Sequence, residues 1–231
     1  VDNDSGIVRE SAHLGWRDLP LASILAGHYR VPVYTANSTE LAAVAQFAFA
    51  ADETVRSLVT ILINHNVEIG LALGGLYHRG SDIGCLQIPA GFGLTRPLEE
   101  FLTSLAVHDR AKALVNAHPG SELSPDHLTY LDIRQAALSG DQVALALVDE
   151  LADHLAQVCA WVVALLRPDL IALAGPMVDL GESLLSRVSE RVATLIQSEA
   201  AHTVKFSLAD AASLSAIGAV ANALQNELGI F

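Results

Sequence analysis

The chain has 231 residues, of which 52% are hydrophobic and 17% are charged. This composition excludes a disordered protein, and the length suits one large domain or two small ones. Asp and Glu number 26 against 13 Lys and Arg, which gives a formal net charge of −13. A nucleic-acid-binding surface needs a basic face, so the charge argues against DNA contact by these residues themselves.

The cysteines and the first residues bear on the cellular compartment. Cys85 and Cys159 form no CxxC motif, which excludes a disulfide framework and an all-thiolate zinc site and fits a reducing cytosol. The chain opens without Met inside a turn and has no basic or apolar leader, so we expect a cytoplasmic fragment of a longer protein. The apolar stretch Val158–Leu166 is far shorter than the roughly 20 residues of a membrane span.

Alternating helical and strand patterns fill the first part of the chain. Asp18 is the predicted N-cap of the first helix, and Ser38 is the predicted N-cap of the second. A β-branched apolar run typical of a buried strand follows, and its hairpin partner contains a turn at Gly74 and Gly75. In chain order, the predicted elements are helix Leu19–Tyr29, strand Val31–Tyr34, helix Ser38–Ala50, strand Ser57–Ile63 and strand Ile69–Tyr77.

Glycines and prolines punctuate residues 80–97, which predicts a loop-rich middle. Helical patterns dominate afterwards, and the longest has Asp141 as its N-cap and stops before Pro168. The predicted elements are helices Leu98–Leu105, Ala111–Ala117, Asp132–Leu138 and Asp141–Leu166, strand Leu170–Leu173, helix Leu180–Ser198, strand Thr203–Leu208 and helix Ala211–Leu228. Helices and strands that alternate with short connections indicate crossover units and an α/β layer fold.

Two segments join the end of a strand to the start of a helix. In Val31–Asn37 the polar end is most simply a helix cap. In Asp169–Gly181 a buried strand ends at a glycine before a helix, an arrangement that can hold a nucleotide or a phosphate and that is equally typical of a plain turn. Neither segment identifies a function by itself.

An ordered set of such segments, from about Gly6 to Leu228, resembles the ROK family of bacterial sugar kinases and sugar-responsive transcriptional repressors. The matching anchors are Gly6-Ile7-Val8, Leu14-Gly15-Trp16, Val31-Pro32-Val33, Asn37, Gly70, Gly75, Gly80, Asp169–Gly175, Gly181 and Ala216-Ile217-Gly218-Ala219. The resemblance implies an α/β fold of the actin-like ATPase (ribonuclease H-like) type, with an incomplete N-terminal lobe. Residues 1–120 would form the remainder of that lobe and the central sheet, with a degenerate sugar and zinc region, and residues 121–231 would form the C-terminal α/β lobe.

The position of the family's general base departs from the family pattern. In the family, a strand leads into Asn-Asp, and the Asp accepts the proton of the sugar hydroxyl. Here Asn37 matches the Asn, but the Asp position holds Ser38. A hydroxyl of ordinary pKa cannot accept that proton, and loss of a positioned base typically lowers the rate by about 10²–10⁴-fold.

The phosphate loops of the family are also degenerate in this sequence. Counted back from Gly70, the positions of the loop glycines hold Asn64, Asn66 and Glu68. Glycines at these positions would let backbone N–H groups approach phosphate, whereas the carboxylate of Glu68 would repel it. The family's other phosphate loop, Asp-x-Gly-Gly-Thr, does not occur in the chain.

The sugar and zinc motifs of the family are matched only in part. The Glu-x-Gly-His motif is represented by Asp82-Ile83-Gly84-Cys85, with a shorter acid and a thiol that is a poor sugar partner. Glu99 is retained at a sugar-contacting position. The three zinc cysteine positions hold Ala90, Phe92 and Pro97, none of which can bind a metal through its side chain. We therefore expect neither a metal site nor a cofactor.

These matches and departures predict the ligand-sensing and oligomerisation domain of a ROK-type transcriptional regulator that is inactive as a kinase. A sugar or sugar phosphate would contact Asn37, Asp82 and Glu99 and shift a homodimer or higher oligomer between DNA-competent and incompetent arrangements. DNA would be bound only through a winged helix-turn-helix domain upstream of this chain, and no membrane partner is expected. Two alternatives stay open, a ligand-free kinase-like dimerisation module and an atypical sugar kinase.

Overall fold

The computed structural model of the protein describes residues 1–11, 14–50, 54–74, 76–91, 93–125, 128–197 and 199–229. The strands are β1 (Val8–Ser11), β2 (Trp16–Leu19), β3 (Leu58–Ile63), β4 (Val67–Leu73), β5 (Leu76–Asp82), β6 (Gln87–Gly91), β7 (Leu94–Pro97), β8 (Leu170–Ala174) and β9 (Lys205–Ala209). The helices are α1 (Leu21–Tyr29), α2 (Ser38–Ala45), α3 (Glu99–Leu102), α4 (Ser104–Ala117), α5 (Tyr130–Ser139), α6 (Gln142–Leu166), α7 (Glu182–Leu195), α8 (Glu199–Thr203) and α9 (Ala211–Leu228). A π-helical segment, Gln46–Ala50, continues α2, and a 3₁₀ segment, Pro176–Leu180, precedes α7.

A mixed five-stranded sheet with the order β5-β4-β3-β8-β9 organises the protein. The central strand β3 pairs antiparallel with β4 on one side and parallel with β8 on the other. Strand β5 extends the sheet antiparallel to β4, and β9 extends it parallel to β8. All six residues of β3 are buried, because helices cover both faces of the sheet.

Alternate residues of β3 point to opposite faces of the sheet and enter different parts of the core. Val59, Ile61 and Ile63 belong to the main cluster, which includes the buried side of α6. Leu62 belongs to a second cluster, in which small alanines of α2, β8 and β9 pack with Leu214 of α9. The long helix α6 is fixed at its start by Asp141, whose side chain accepts from the N–H groups of Val143 and Ala144. The predicted N-cap is thus confirmed.

Two glycines let α2 approach its neighbours closely. A Cβ on Gly218 of α9 would lie 1.9 Å from the carbonyl oxygen of Leu41 in α2. A Cβ on Gly70 of β4 would lie 2.3 Å from the carbonyl oxygen of Thr39, also in α2. No larger residue fits at either position without a shift of α2, so these glycines set the distance of α2 from α9 and from the sheet.

Three predictions for the region before β3 are wrong. Val31–Tyr34 does not form a strand, since no strand among the described residues lies beside it to pair with its backbone. Asp18 does not cap α1, because it belongs to β2 with a φ of 45° and its carboxylate accepts from Arg9 at 3.4 Å. Ser38 is the first residue of α2 rather than its cap, and Asn37 occupies the N-cap position without a side-chain capping bond.

The middle of the chain is more regular than predicted. Strands β6 and β7 form a hairpin where only loops were expected, and Ile88 on this hairpin is fully buried. The two predicted helices that follow are divided differently, because Thr103 is extended between α3 and α4 and its hydroxyl accepts from Ala106 N at 3.4 Å. The predicted hairpin partner Ile69–Tyr77 consists of the end of β4 and the start of β5, with Gly74 between them and Gly75 outside the described residues.

Most of the strongly patterned elements are confirmed. Strand Ser57–Ile63 is β3 with one residue fewer, and helix Ala211–Leu228 coincides with α9. Helix Leu180–Ser198 is α7, which covers Glu182–Leu195, and Ser198 lies outside the described residues. Within the described ranges, no helix combines the length and the apolar character that crossing a membrane requires.

Candidate functional site

A cleft of about 800 Å³ lies between the β1–β2 hairpin, the start of α2, the β3–β4 turn, the end of β5 and the start of α3. We call it the carboxylate cleft. Its polar side chains include Glu10, Asn37, Asn66, Glu68, Asp82 and Glu99. The three residues predicted to contact a ligand, Asn37, Asp82 and Glu99, therefore line one cavity, although they come from distant parts of the sequence.

Gly84 holds Asp82 and Glu99 close to one another. Its N–H donates to Asp82 Oδ1 at 2.8 Å, and its carbonyl oxygen accepts from Glu99 N at 3.0 Å. A Cβ on Gly84 would lie 3.1 Å from Asp82 Oδ1 and 3.3 Å from Glu99 Oε2. Both acids are exposed, so their carboxylates can accept hydrogen bonds from a ligand in the cleft.

The carboxylate of Glu68 is held in place from two sides. Its Oε2 accepts from the hydroxyl of Thr39, and its Oε1 accepts from Asn66 Nδ2 at 2.9 Å. Thr39 is buried at 1% exposure, and Glu68 is half-buried. Glu68 also lies directly opposite Asp82 in the β4–β5 ladder. The acid predicted to disturb the phosphate loop is thus a fixed part of the cleft.

A second cavity, of about 480 Å³, contains Ser38, the residue predicted to stand at the position of the family's general base. We call it the back cleft; it lies near the carboxyl ends of β3 and β8, and its lining is Ser38, Leu62, Asn64, Gly175, Pro176, Val178, Asp179, Asp210 and Ser215. Ser38 is exposed, and its carbonyl oxygen accepts from Ser215 Oγ at 3.3 Å. Asn37 and Ser38, which are adjacent in sequence, therefore line different cavities.

The predicted phosphate-loop positions are dispersed. Asn64 lines the back cleft, whereas Asn66 and Glu68 line the carboxylate cleft. Gly70 is buried against the Thr39 carbonyl, so its small size serves the packing of α2 on the sheet. These four residues do not surround one common space.

The region of the predicted zinc motif lies on the β6–β7 hairpin. Ala90 and Pro97 belong to its two strands, and Phe92 lies outside the described residues. In the part of the chain that the structure describes, no group of three or more His, Cys, Asp or Glu side chains is placed to hold a metal ion. Cys85 is exposed, whereas Cys159 is buried in α6, and burial raises the pKa of its thiol to about 12.

Several residues of the carboxylate cleft were not found from the sequence. Glu10 and Trp16 reach it from the β1–β2 hairpin, whose short, exposed strands show no clear alternation of apolar and polar residues. Thr39 could have been suspected, because it stands two positions after Asn37 in the first turn of a helix. Its contact with Glu68 joins residues 29 positions apart and has no local signal.

The mixed sheet, its crossover helices and the clefts at its edge define an actin-like fold of the sugar-kinase type. A ROK family transcriptional regulator, homologous to the Escherichia coli Mlc protein, superposes with a TM-score of 0.86 at 24% identity over 97% of this chain and 60% of its own. A ROK family glucokinase from Streptomyces griseus, solved with glucose and AMPPNP, superposes with a TM-score of 0.82 at 22% identity over 96% of this chain and 78% of its own. The predicted fold class is confirmed.

The sequence comparisons agree with the fold. The model of the ROK family matches residues 1–226, and the chain belongs to this family. The DNA-binding transcriptional repressor Mlc of E. coli K12 is 28% identical over 203 residues, which are 83% of this chain and 50% of Mlc. A glucokinase from Halalkalibacterium halodurans is 26% identical over 206 residues, which are 82% of this chain and 62% of the glucokinase. The chain thus spans 50% of the length of the repressor and 62% of the length of the kinase among these curated relatives.

Proposed function

We propose that this chain is the effector-sensing and oligomerisation domain of a ROK-type transcriptional regulator, which binds a sugar in the carboxylate cleft and does not transfer phosphate. The observation that carries the proposal is the position of Ser38. It replaces the family's general base with a hydroxyl, and it lines the back cleft, apart from Asn37, Asp82 and Glu99. A sugar bound to those three residues meets no base at the family's position.

The carboxylate cleft suits a sugar chemically. Its carboxylates accept hydrogen bonds from ring hydroxyls, and the Asn37 amide can both donate and accept. Trp16, at 37% exposure, and Leu14 add apolar surface against which the C–H face of a sugar ring can pack. A small number of placed polar groups on a partly apolar cavity is typical of small-molecule sites.

The back cleft is poorly suited to a nucleoside triphosphate. Its lining includes the carboxylates of Asp179 and Asp210 and contains no Lys or Arg among the described residues. Phosphate groups are bound by backbone N–H groups, by Lys or Arg, or by metal ions, and two carboxylates repel them. This charge pattern supports the loss of phosphoryl transfer.

Sensing requires that the sugar bind one arrangement of the protein better than another. The walls of the carboxylate cleft come from separate elements, from the β1–β2 hairpin to α3. A ligand that contacts several of these elements therefore stabilises the arrangement of the protein in which they lie close together. We propose that this change is passed through a homodimer to a DNA-binding domain upstream of this chain, and that the chain itself does not contact DNA.

A ligand-free dimerisation module is the second candidate function, and exposed apolar side chains on α9 favour it. Ile217, Val220, Leu224 and Leu228 are between 37% and 64% exposed on this helix. Sedimentation of the wild type and of a Val220→Asp variant, with and without sugars, separates the two functions. Association that Val220→Asp weakens, together with no sugar binding, would favour the module over the sensor.

Calorimetric titration of hexoses, amino sugars, their 6-phosphates and ATP–Mg, with a coupled phosphorylation assay, tests the leading proposal. We expect one class of sugar to bind, no binding of ATP, and no turnover. Asp82→Asn and Glu99→Gln should weaken sugar binding at least tenfold, whereas Glu190→Gln, an exposed acid on α7, should not. Ser38→Asp should stay inactive, because Asn64 and Glu68 remain; ATP-dependent phosphorylation of a sugar by it would overturn the proposal.

A further inference from the structure

Three carboxylates follow one another along the carboxylate cleft. Glu68 and Asp82 are direct partners across β4 and β5, and Asp82 and Glu99 both adjoin Gly84. We call Glu68, Asp82 and Glu99 the acid row. Like charges directly opposite one another on neighbouring strands destabilise a sheet. Such a local conflict is expected where function rather than stability selects the residues.

The charges around the acid row leave it strongly negative. No Lys or Arg side chain is among the described residues that line the cleft. Glu10 adds a fourth acid, and it is paired with the guanidinium of Arg17 at 3.3 Å. The other ionisable side chain on the lining is that of His65, and the backbone nitrogen of Val1 donates to Asn37 Oδ1 at 3.2 Å.

Glu68 differs from the other two acids in that both of its carboxylate oxygens accept hydrogen bonds from side chains. The Thr39 hydroxyl and the Asn66 amide, which could otherwise donate to a bound anion, both donate to its carboxylate. The Glu68 carboxylate therefore already occupies the place beside the β3–β4 turn where a bound anion would accept these hydrogen bonds. A phosphate group that approached this turn would meet a fixed negative charge, and the single O–H of Thr39 is already donated to Glu68.

We propose that Glu68 is a specificity-determining residue that excludes phosphorylated sugars, so that the effector is an unphosphorylated sugar. This inference rests on the proposed sugar site and restricts the class of sugar that binds there to sugars without a phosphate group. At contact distances a like-charge pair near a protein surface weakens binding by about tenfold or more. Protonated amino sugars gain from the same field and bind more tightly than the corresponding neutral sugars.

Calorimetry with glucose, mannose, glucosamine, N-acetylglucosamine and the 6-phosphates of these sugars tests the inference. We expect the sugar that binds the wild type to bind at least about tenfold more tightly than its 6-phosphate. Glu68→Gln keeps the shape of the side chain and should reduce that ratio at least about threefold. Glu190→Gln removes the same charge outside the cleft and should leave the ratio unchanged. The ratio should also fall at high salt, because salt screens charge repulsion.

The outcomes separate this inference from the proposed function. A 6-phosphate that binds as tightly as its parent sugar, or a ratio that Glu68→Gln does not change, would overturn the role of Glu68 and leave the sugar site standing. Absence of binding by every sugar would refute the sugar site, and this inference with it. If Glu68→Gln does not fold, as judged by circular dichroism, the salt dependence of the wild-type ratio tests the same repulsion, and a ratio that salt leaves unchanged would overturn the role of Glu68.

Discussion

Replacement of Gly218 by Ala tests how closely α9 and α2 must approach. The added Cβ would lie 1.9 Å from the Leu41 carbonyl oxygen and 2.8 Å from the Leu41 Cα, both backbone atoms that cannot rotate away. Ordinary contacts begin at about 3.4 Å, so α9 must move about 1.5 Å from α2. That gap would loosen the contacts of Ala221, which is 1% exposed, and of Leu214, which packs with Ala42 of α2.

The expected loss in the free energy of unfolding of Gly218→Ala follows from overpacking of a well-packed region. Such changes typically cost about 1–3 kcal/mol, and we expect the upper end because the clash is with backbone. For a protein of this size, each kcal/mol lowers the melting temperature by about 2–4 °C, so Gly218→Ala should lower it by about 6–12 °C. Because α2 supplies Thr39 and adjoins Asn37, sugar binding should weaken as well.

Gly27 in α1 provides the matched control. It also lies inside a helix, but nothing lies within 4 Å of the Cβ that Ala would add. Because Ala favours a helix over Gly by about 1 kcal/mol, Gly27→Ala should raise the melting temperature by about 2–4 °C. Thermal unfolding followed by circular dichroism measures both variants. Equal shifts, or a Gly218→Ala variant as stable as the wild type, would refute the argument from close packing.

Three further predictions concern cysteine reactivity, a helix cap and an ion-pair network. A thiol reagent at pH 8 should modify exposed Cys85 alone in the native protein and both cysteines in urea, because burial raises the pKa of Cys159 to about 12; native labelling of Cys159 would contradict this. Asp141→Ala should cost about 1–2 kcal/mol in urea unfolding, since it removes the cap of α6. Burial opposes ionisation of Asp141, but hydrogen bonds from backbone N–H groups outweigh the effect of burial and lower the pKa of its carboxyl. The stabilisation by the Asp141 cap is therefore complete above about pH 3.8, the ordinary pKa, and should disappear as the pH falls through the lower pKa of the folded state. Asp149→Asn, which weakens a pair to Arg191 at 2.7 Å, should cost about 0.5–1 kcal/mol and less at high salt; a cost that does not depend on salt would argue against an electrostatic origin.

The elements that the sequence predicts well have a strong period and a buried face. Helix α6 and strand β3 are examples, since thirteen residues of α6 and all six residues of β3 are buried. The β1–β2 hairpin is mostly exposed, with Val8 as its one buried strand residue, and it shows no such signal. Val31–Tyr34 has the composition of a strand but lies beside no partner among the described residues. Local composition indicates which secondary structure a segment can adopt. Whether a segment becomes a β-strand depends on whether the fold places another strand beside it.

The candidate site was predictable where a motif placed residues and unpredictable where the fold did. Asn37, Asp82 and Glu99 were chosen from family positions, and all three line one cleft. The separation of Ser38 from Asn37 arises at the start of α2, where the extended backbone of Asn37, with a ψ of 145°, gives way to the helix that begins at Ser38. No pattern of residue types along the chain indicates that Asn37 and Ser38 line different clefts.

The pairing of β3 with β8 has a consequence for the speed of folding. Leu58 lies beside Leu170, so the central pairing of the sheet joins positions 112 residues apart. Such contacts give a high contact order, which slows folding, because the chain must lose the entropy of a long loop before the pairing compensates for it. The back cleft takes Leu62 from the end of β3 and Gly175 from the end of β8, so it forms only when these two strands have paired. The cavity that Ser38 lines is therefore absent from every chain that has not yet paired these two strands.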